Sequence, residues 1–215
     1  MVARVKICGL NDEAAVDAAV SHGADYLGFI IFPKSPRGVS AQRAGELARR
    51  RGDAKAVAVL VDPSEPLLGE VLGEMRPDVI QLHGQESPWR CRDARAYADA
   101  VWKAFGVAER GDLDAAGAYV DTADGFVFDA KPPKGADRPG GWGAAYDWSI
   151  VKGWDAAPWL LSGGLTPDNV AEAVRVSGAE AVDVASGVES APGVKDPARI
   201  AAFLTAAKSA SALAS

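Results

Sequence analysis

Short apolar runs alternate with amphipathic stretches along the whole chain. Residues 2–8 (VARVKIC) form the first run, rich in β-branched residues that favour a strand. Residues 11–23 follow with apolar positions at helical spacing, Asn11 placed to cap the helix and Gly23 to end it. The same alternation predicts strands over 26–32, 54–61, 78–82, 100–105, 125–129, 158–162 and 181–185. Between them it predicts helices over 41–51, 66–75, 87–97, 113–120 and 167–176, and a last helix over 196–213. Ser40 and Thr166 are the expected caps of two of these, and Pro88 sits at a first helical position, where its missing N–H costs nothing. Residues 130–143 are rich in Pro and Gly and read as a loop, and 148–151 make at most a short helix.

Eight strand–helix units imply a parallel sheet, and eight most simply close into an α/β single-domain (β/α)₈ barrel over residues 1–215. The alternative, an open doubly wound sheet, lacks its expected GxGxxG after the first strand. The 215 residues suit one barrel, with tight connections. A net charge of -6 and the lack of a basic stripe argue against a nucleic-acid partner. The run Arg49-Arg50-Arg51 closes a predicted helix, where positive charge suits the dipole. No apolar run approaches the roughly 20 residues of a membrane span, so no membrane partner is expected. The N-terminal stretch has no secretory apolar core, and the expected compartment is the cytoplasm. Cys8 and Cys91 are then expected to be thiols, and their spacing fits no zinc site.

In such a barrel the chemistry sits where strands end. The polar residues there are Lys6 and Cys8 on the first strand, Arg37 beyond the second, His83 after the fourth, Asp129 on the sixth and Asp183 on the eighth. Alternation along a strand places Lys6, Cys8, Val127, Asp129, Asp183 and Ala185 on one face, toward the barrel axis. Their neighbours Val5, Ile7, Phe126, Phe128, Val182 and Val184 then face the helices, and all are apolar, which supports the register. Two small-residue turns, Gly163-Gly164 and Ser186-Gly187, follow the last two strands. Backbone N–H groups exposed in such turns suit a phosphate.

The stretches KICG, GFIIFPKSPRGV, QLHG, the strand ending in Asp129, GGWG with DWS, LSGGLTPDNV and VDVASGVES-PG-KD occur in order from Lys6 to Asp196. Together they resemble the phosphoribosylanthranilate isomerase family of tryptophan biosynthesis. The chain departs from that pattern at Leu10-Asn11, at Trp142 between two glycines and at Ala144-Ala145. The resemblance implies an Amadori rearrangement of a small phosphosugar, N-(5′-phosphoribosyl)anthranilate, without metal, redox change or cofactor. It implies Cys8 as general base and Asp129 as general acid, so that the thiol must ionise and the carboxyl must hold a proton near neutral pH. Arg37 is then matched to the substrate carboxylate, His83 to the anthranilate end, and Asp183 to an amino or hydroxyl group unless Lys6 claims it. The phosphate falls to Gly141, Gly163, Gly164, Ser186 and Gly187. His22 and Cys91 receive no role. Two other functions fit the same barrel: the histidine-pathway aminoaldose isomerase, which uses a carboxylate where Cys8 stands, and a non-catalytic phosphate-binding barrel. No feature of the sequence decides the oligomeric state.

Overall fold

In the computed structural model, which describes residues 3–131, 143 and 145–212, the eight predicted strands close into one parallel barrel in chain order. They are β1 (Arg4–Cys8), β2 (Tyr26–Ile30), β3 (Lys55–Leu60), β4 (Val79–Leu82), β5 (Ala100–Val107), β6 (Gly125–Ala130), β7 (Trp159–Leu161) and β8 (Ala181–Val184). The helices around them are α1 (Glu13–Ser21), α2 (Ala41–Ala48), α3 (Glu65–Glu74), α4 (Pro88–Ala94), α5 (Asp114–Gly117), α6 (Val170–Ser177) and α7 (Pro197–Ala212). A 3₁₀ turn, Trp148–Val151, takes the place of a helix after β6.

Two apolar layers follow from the alternation of side chains. Val5, Ile7, Phe126, Phe128, Val182 and Val184 are buried between strands and helices, as the pattern requires. Inside the barrel Val57, Val59, Val79, Trp102, Val127 and Leu160 pack into one apolar cluster. The interior is therefore a packed core with polar groups only toward its upper end. Register places Lys6 opposite Asp183 and Cys8 opposite Gly28. Gly28 makes room there: a Cβ at that position would lie 3.0 Å from both the Cys8 Sγ and the Lys6 Cε.

Several local expectations are corrected. Asp12, not Asn11, caps α1, its Oδ1 accepting from Ala15 N at 2.9 Å, and Asn11 instead donates to Gly193 O at 2.8 Å. Thr166 is not a cap, because Asn169 bridges Thr166 N–H and Gly164 O and turns residues 166–169 tightly; α6 starts only at Val170. The fifth helix is a 3₁₀ turn, Arg110–Leu113, running into α5, which is only four residues long. After β8 the chain forms an unforeseen antiparallel hairpin, β9 (Glu189–Ala191) with β10 (Val194–Lys195). The arginine run lies past the end of α2, and Arg50 pairs with Asp17 at 2.6 Å. Gly141 and Trp142 lie outside the described residues. Among the described residues no helix is long and apolar enough to cross a membrane.

Helix contacts around the barrel are close. A Cβ on Gly45 of α2 would fall 2.1 Å from the Glu74 carbonyl oxygen at the end of α3. Backbone must shift to admit it, so Gly45→Ala is expected to lower unfolding free energy by about 1–3 kcal/mol despite the better helix propensity of Ala. Urea unfolding measures this, and an unchanged or higher midpoint would contradict the packing described.

Candidate active site

A cavity opens at the C-terminal ends of the strands. Cys8, Arg37, His83, Asp129, Asp183 and Ser186 line it, together with Gly163 and Gly164. Residues from six strands or strand-following loops, far apart in sequence, thus share one space. Gly187 does not line it. Its place is at the contact of two loops, where a Cβ would come 1.8 Å from Leu165 O. Gly163 and Gly164 have φ of 90° and 67°, a left-handed conformation that glycine adopts without strain.

Beneath the cavity lies an ion pair. Lys6, fully buried, donates to Asp183 Oδ1 at 3.0 Å. Burial works against charge on Lys6, but Asp183 and Cys8 outweigh it and hold the lysine above its ordinary range. Cys8 is 5% exposed. Burial pushes its thiol above its ordinary range and the Asp183 charge adds to that push, while the Lys6 charge offsets only part of it. Asp129 is raised to about 6, first by burial and then by the Asp183 charge, against a 2.8 Å hydrogen bond from Ala130 N–H. Roughly a tenth of Asp129 is then protonated at pH 7, far more than for an ordinary aspartate.

His83 lies 3.7 Å from Asp129, Nε2 to Oδ2. The distance would suit an ion pair, but burial and the charges of Lys103 and Lys6 lower the imidazole to about 3, so it is neutral. Gln81 Nε2 donates to His83 Nδ1 at 3.1 Å, which leaves the ring proton on Nε2, toward Asp129. Gln81 Oε1 is the one buried side-chain polar atom without a partner among the described residues. The loop carrying His83 is braced by Lys103, which donates to Gly84 O at 2.9 Å and pairs with Glu86 at 3.2 Å.

Arg37 reaches the cavity with its guanidinium held by Glu189, Nε to Oε1 at 2.6 Å and Nη2 to Oε2 at 2.8 Å. Lys195 donates to the same Oε1 at 2.8 Å. Glu189, Lys195 and Gln81 are the residues that sequence reasoning missed. The motif VES-PG-KD contained two of them, but the hairpin that turns them inward was not read. Among the described residues no cluster of His, Cys, Asp and Glu suits a metal ion.

The model of the family described as N-(5′-phosphoribosyl)anthranilate (PRA) isomerase matches residues 5–206. The chain belongs to this family. A family relative from Paramagnetospirillum magneticum is 53% identical over 212 residues, covering 97% of this chain and 98% of its own. One from Rhodospirillum rubrum is 49% identical, over 95% and 97% of the two chains. The crystal structure of phosphoribosyl anthranilate isomerase from Thermotoga maritima superposes with a TM-score of 0.87 at 35% identity, covering 96% of this chain and 99% of that one. Another family structure, in complex with reduced 1-(o-carboxyphenylamino)-1-deoxyribulose 5-phosphate, gives 0.83 at 32% identity over 96% and 99%. In the family's terms the barrel and the activity expected from sequence, an isomerase of tryptophan biosynthesis, are borne out.

The neutral state of His83 is directly testable. Its imidazole resonances, assigned by comparison with a His83→Gln variant, are expected to stay at the neutral position at pH 5, because the folded ring takes up its proton only near 3. A titration midpoint between about 6 and 7, the ordinary histidine range, would contradict this electrostatic reading.

Proposed function

We propose that the isomerisation runs on Cys8 as general base and Asp129 as general acid. The observation that carries this is their meeting in one cavity, from strands on different sides of the barrel, with Asp129 held in a proton-retaining environment. Protonated Asp129 donates to the furanose ring oxygen of N-(5′-phosphoribosyl)anthranilate. The C1′–O bond breaks as the amino nitrogen's lone pair forms C1′=N⁺, and Asp129 is left as carboxylate. Cys8, as thiolate, removes the proton from C2′; the C–H electrons form C1′=C2′ and return the C1′=N⁺ π electrons to nitrogen. The neutral enolamine then moves its hydroxyl proton to C1′ and becomes the aminoketone. Cys8 then gives its proton to solvent and Asp129 takes one up, which restores both groups, and atoms balance without an oxidant, a metal or a cofactor.

The rest of the cavity has matching parts. Arg37 suits the anthranilate carboxylate, since a planar fork of N–H groups matches two oxygens. Asp183, its Oδ1 held by Lys6, accepts from the substrate's amino group or a ribose hydroxyl through its other oxygen. The neutral His83 offers Nε2–H toward the aromatic end. Backbone N–H groups of the Gly163-Gly164 turn and at Ser186 take the phosphate. A thiolate base suits a reducing compartment, so the cytoplasm is the assigned location, with residues 1–215 acting as one domain. The ligand is a small phosphosugar; neither nucleic acid nor membrane has a part.

Each positioned acid or base contributes typically about 10²–10⁴ in rate. Cys8→Ala and Asp129→Asn are therefore each expected to lower kcat by about that factor with KM changed little. Loss of anthranilate fluorescence from substrate made in situ measures it. Either variant keeping more than about a tenth of wild-type kcat would remove that residue from the acid–base pair.

A further inference from the structure

We propose that Glu189 and Lys195 are positioning residues that set the preference for a carboxylate-bearing aryl group by holding the Arg37 guanidinium in one plane. The proposal rests on the reading of Arg37 as the carboxylate partner. No step of the proton-transfer chemistry uses these two residues, yet they are among the most buried charges in the chain. The Glu189 side chain is 4% exposed, that of Lys195 0% and that of Arg37 4%.

The geometry is that of a clamp. Glu189 accepts from Arg37 in bidentate fashion at 2.6 and 2.8 Å, which fixes the plane of the guanidinium as a single hydrogen bond does not. Glu189 is itself fixed. Lys195 donates to its Oε1 at 2.8 Å, and Gly193 N–H to its Oε2 at 3.3 Å. Lys195 is anchored in turn on Ala185 O at 2.7 Å, at the end of β8. The carboxylate is thus set in the β9–β10 hairpin and the lysine ties that hairpin to the barrel wall.

The hairpin is also wedged between the neighbouring loops. A Cβ on Gly193 would lie 2.4 Å from Pro36 O, so its turn presses on the residue preceding Arg37. On the other side Asn11 Nδ2 donates to Gly193 O. The Arg37 stem lies over Gly9, where a Cβ would meet its Cδ at 2.7 Å, directly after Cys8. Position of the aryl carboxylate is in this way referred to the base that acts on C2′.

Charge gives Lys195 a second part. A carboxylate paired with Arg37 cancels the arginine's charge, which would spoil an anion site. Burial holds Lys195 below its ordinary range against the pull of Glu189, and while it keeps its proton the ammonium on the same oxygen gives the trio a positive excess. Burial penalises charge on Glu189, but the arginine's hydrogen bonds and the lysine's charge outweigh it, and the carboxyl is held below its ordinary range. Glu189 is therefore an anion at neutral pH, able to accept four charge-assisted contacts at most and engaged by both cations.

The test compares binding of two stable ligands by calorimetry: 1-(2-carboxyphenylamino)-1-deoxyribitol 5-phosphate and the same compound lacking the carboxyl group. Proteins are wild type, Arg37→Met, Glu189→Gln and Lys195→Met. The expected wild-type preference for the carboxylated ligand is roughly tenfold or more, the size of one charge-assisted contact. Glu189→Gln and Lys195→Met are expected to cut that preference at least about threefold while the affinity for the uncarboxylated ligand stays within about twofold. Preference retained in Arg37→Met would overturn the carboxylate reading itself. Preference lost in Arg37→Met but intact in the Glu189 and Lys195 variants would overturn the positioning role alone. Equal weakening of both ligands would also overturn it, since a merely structural part moves both. If Glu189→Gln does not fold, Lys195→Met decides by the same criterion.

Discussion

The buried pair of Lys6 and Asp183 is the constraint on which the site depends. Strand register puts them side by side on β1 and β8, one level below the mouth. Removing either partner would leave an uncompensated charge inside the barrel, at a cost of about 3–5 kcal/mol. Their worth is not chiefly in stability, for a buried ion pair often does no better than apolar groups of the same volume. What the pair supplies is a dipole aimed at the two groups above it. Its cation lies under Cys8 and favours the thiolate. Its anion lies within reach of Asp129 and favours the acid.

That arrangement opposes what burial alone would give. A buried thiol and a buried carboxyl are both pushed toward their protonated forms, and only one of them should be protonated for the reaction. The lysine charge offsets part of that push at Cys8, whose thiol is still held above its ordinary range, whereas at Asp129 the Asp183 charge reinforces it. His83 completes the pattern. Two lysine charges and burial keep it neutral, so it presents a hydrogen-bond donor beside Asp129 without a positive charge that would ionise the acid. Charge is handled at the rim by a separate set of residues, Arg37 with Glu189 and Lys195. An overall charge of -6 thus coexists with a mouth suited to an anionic ligand, because locally placed donors dominate over distances of a few ångströms.

Much of this was legible because a strand has a period of two. Once Val5, Ile7, Phe126 and Phe128 were read as facing helices, Lys6, Cys8 and Asp129 had to face the axis. The rivalry over Asp183 was also visible, and the 3.0 Å contact gives one of its two oxygens to Lys6. What escaped was set by contacts between distant loops. Arg37 and Glu189 are separated by 152 positions, and nothing local in either stretch announces the pairing. The hairpin of β9 and β10 is too short for periodicity to register. Helix starts failed where two capping residues competed: Asp12 has the geometry to reach Ala15 N–H, while Asn11 is drawn away to Gly193. Asn169 displaced Thr166 in the same manner, by using its side chain to close a turn ahead of the helix.

The central claim is that Asp183 helps to keep the proton on Asp129. Carbon-13 NMR of aspartate carboxyls, with Asp129→Asn to identify the signal, measures it in the unliganded protein. The expected midpoint is about 6 in wild type and clearly lower, still above the ordinary aspartate range, in Asp183→Asn. A midpoint in Asp183→Asn equal to or above that of wild type would contradict it.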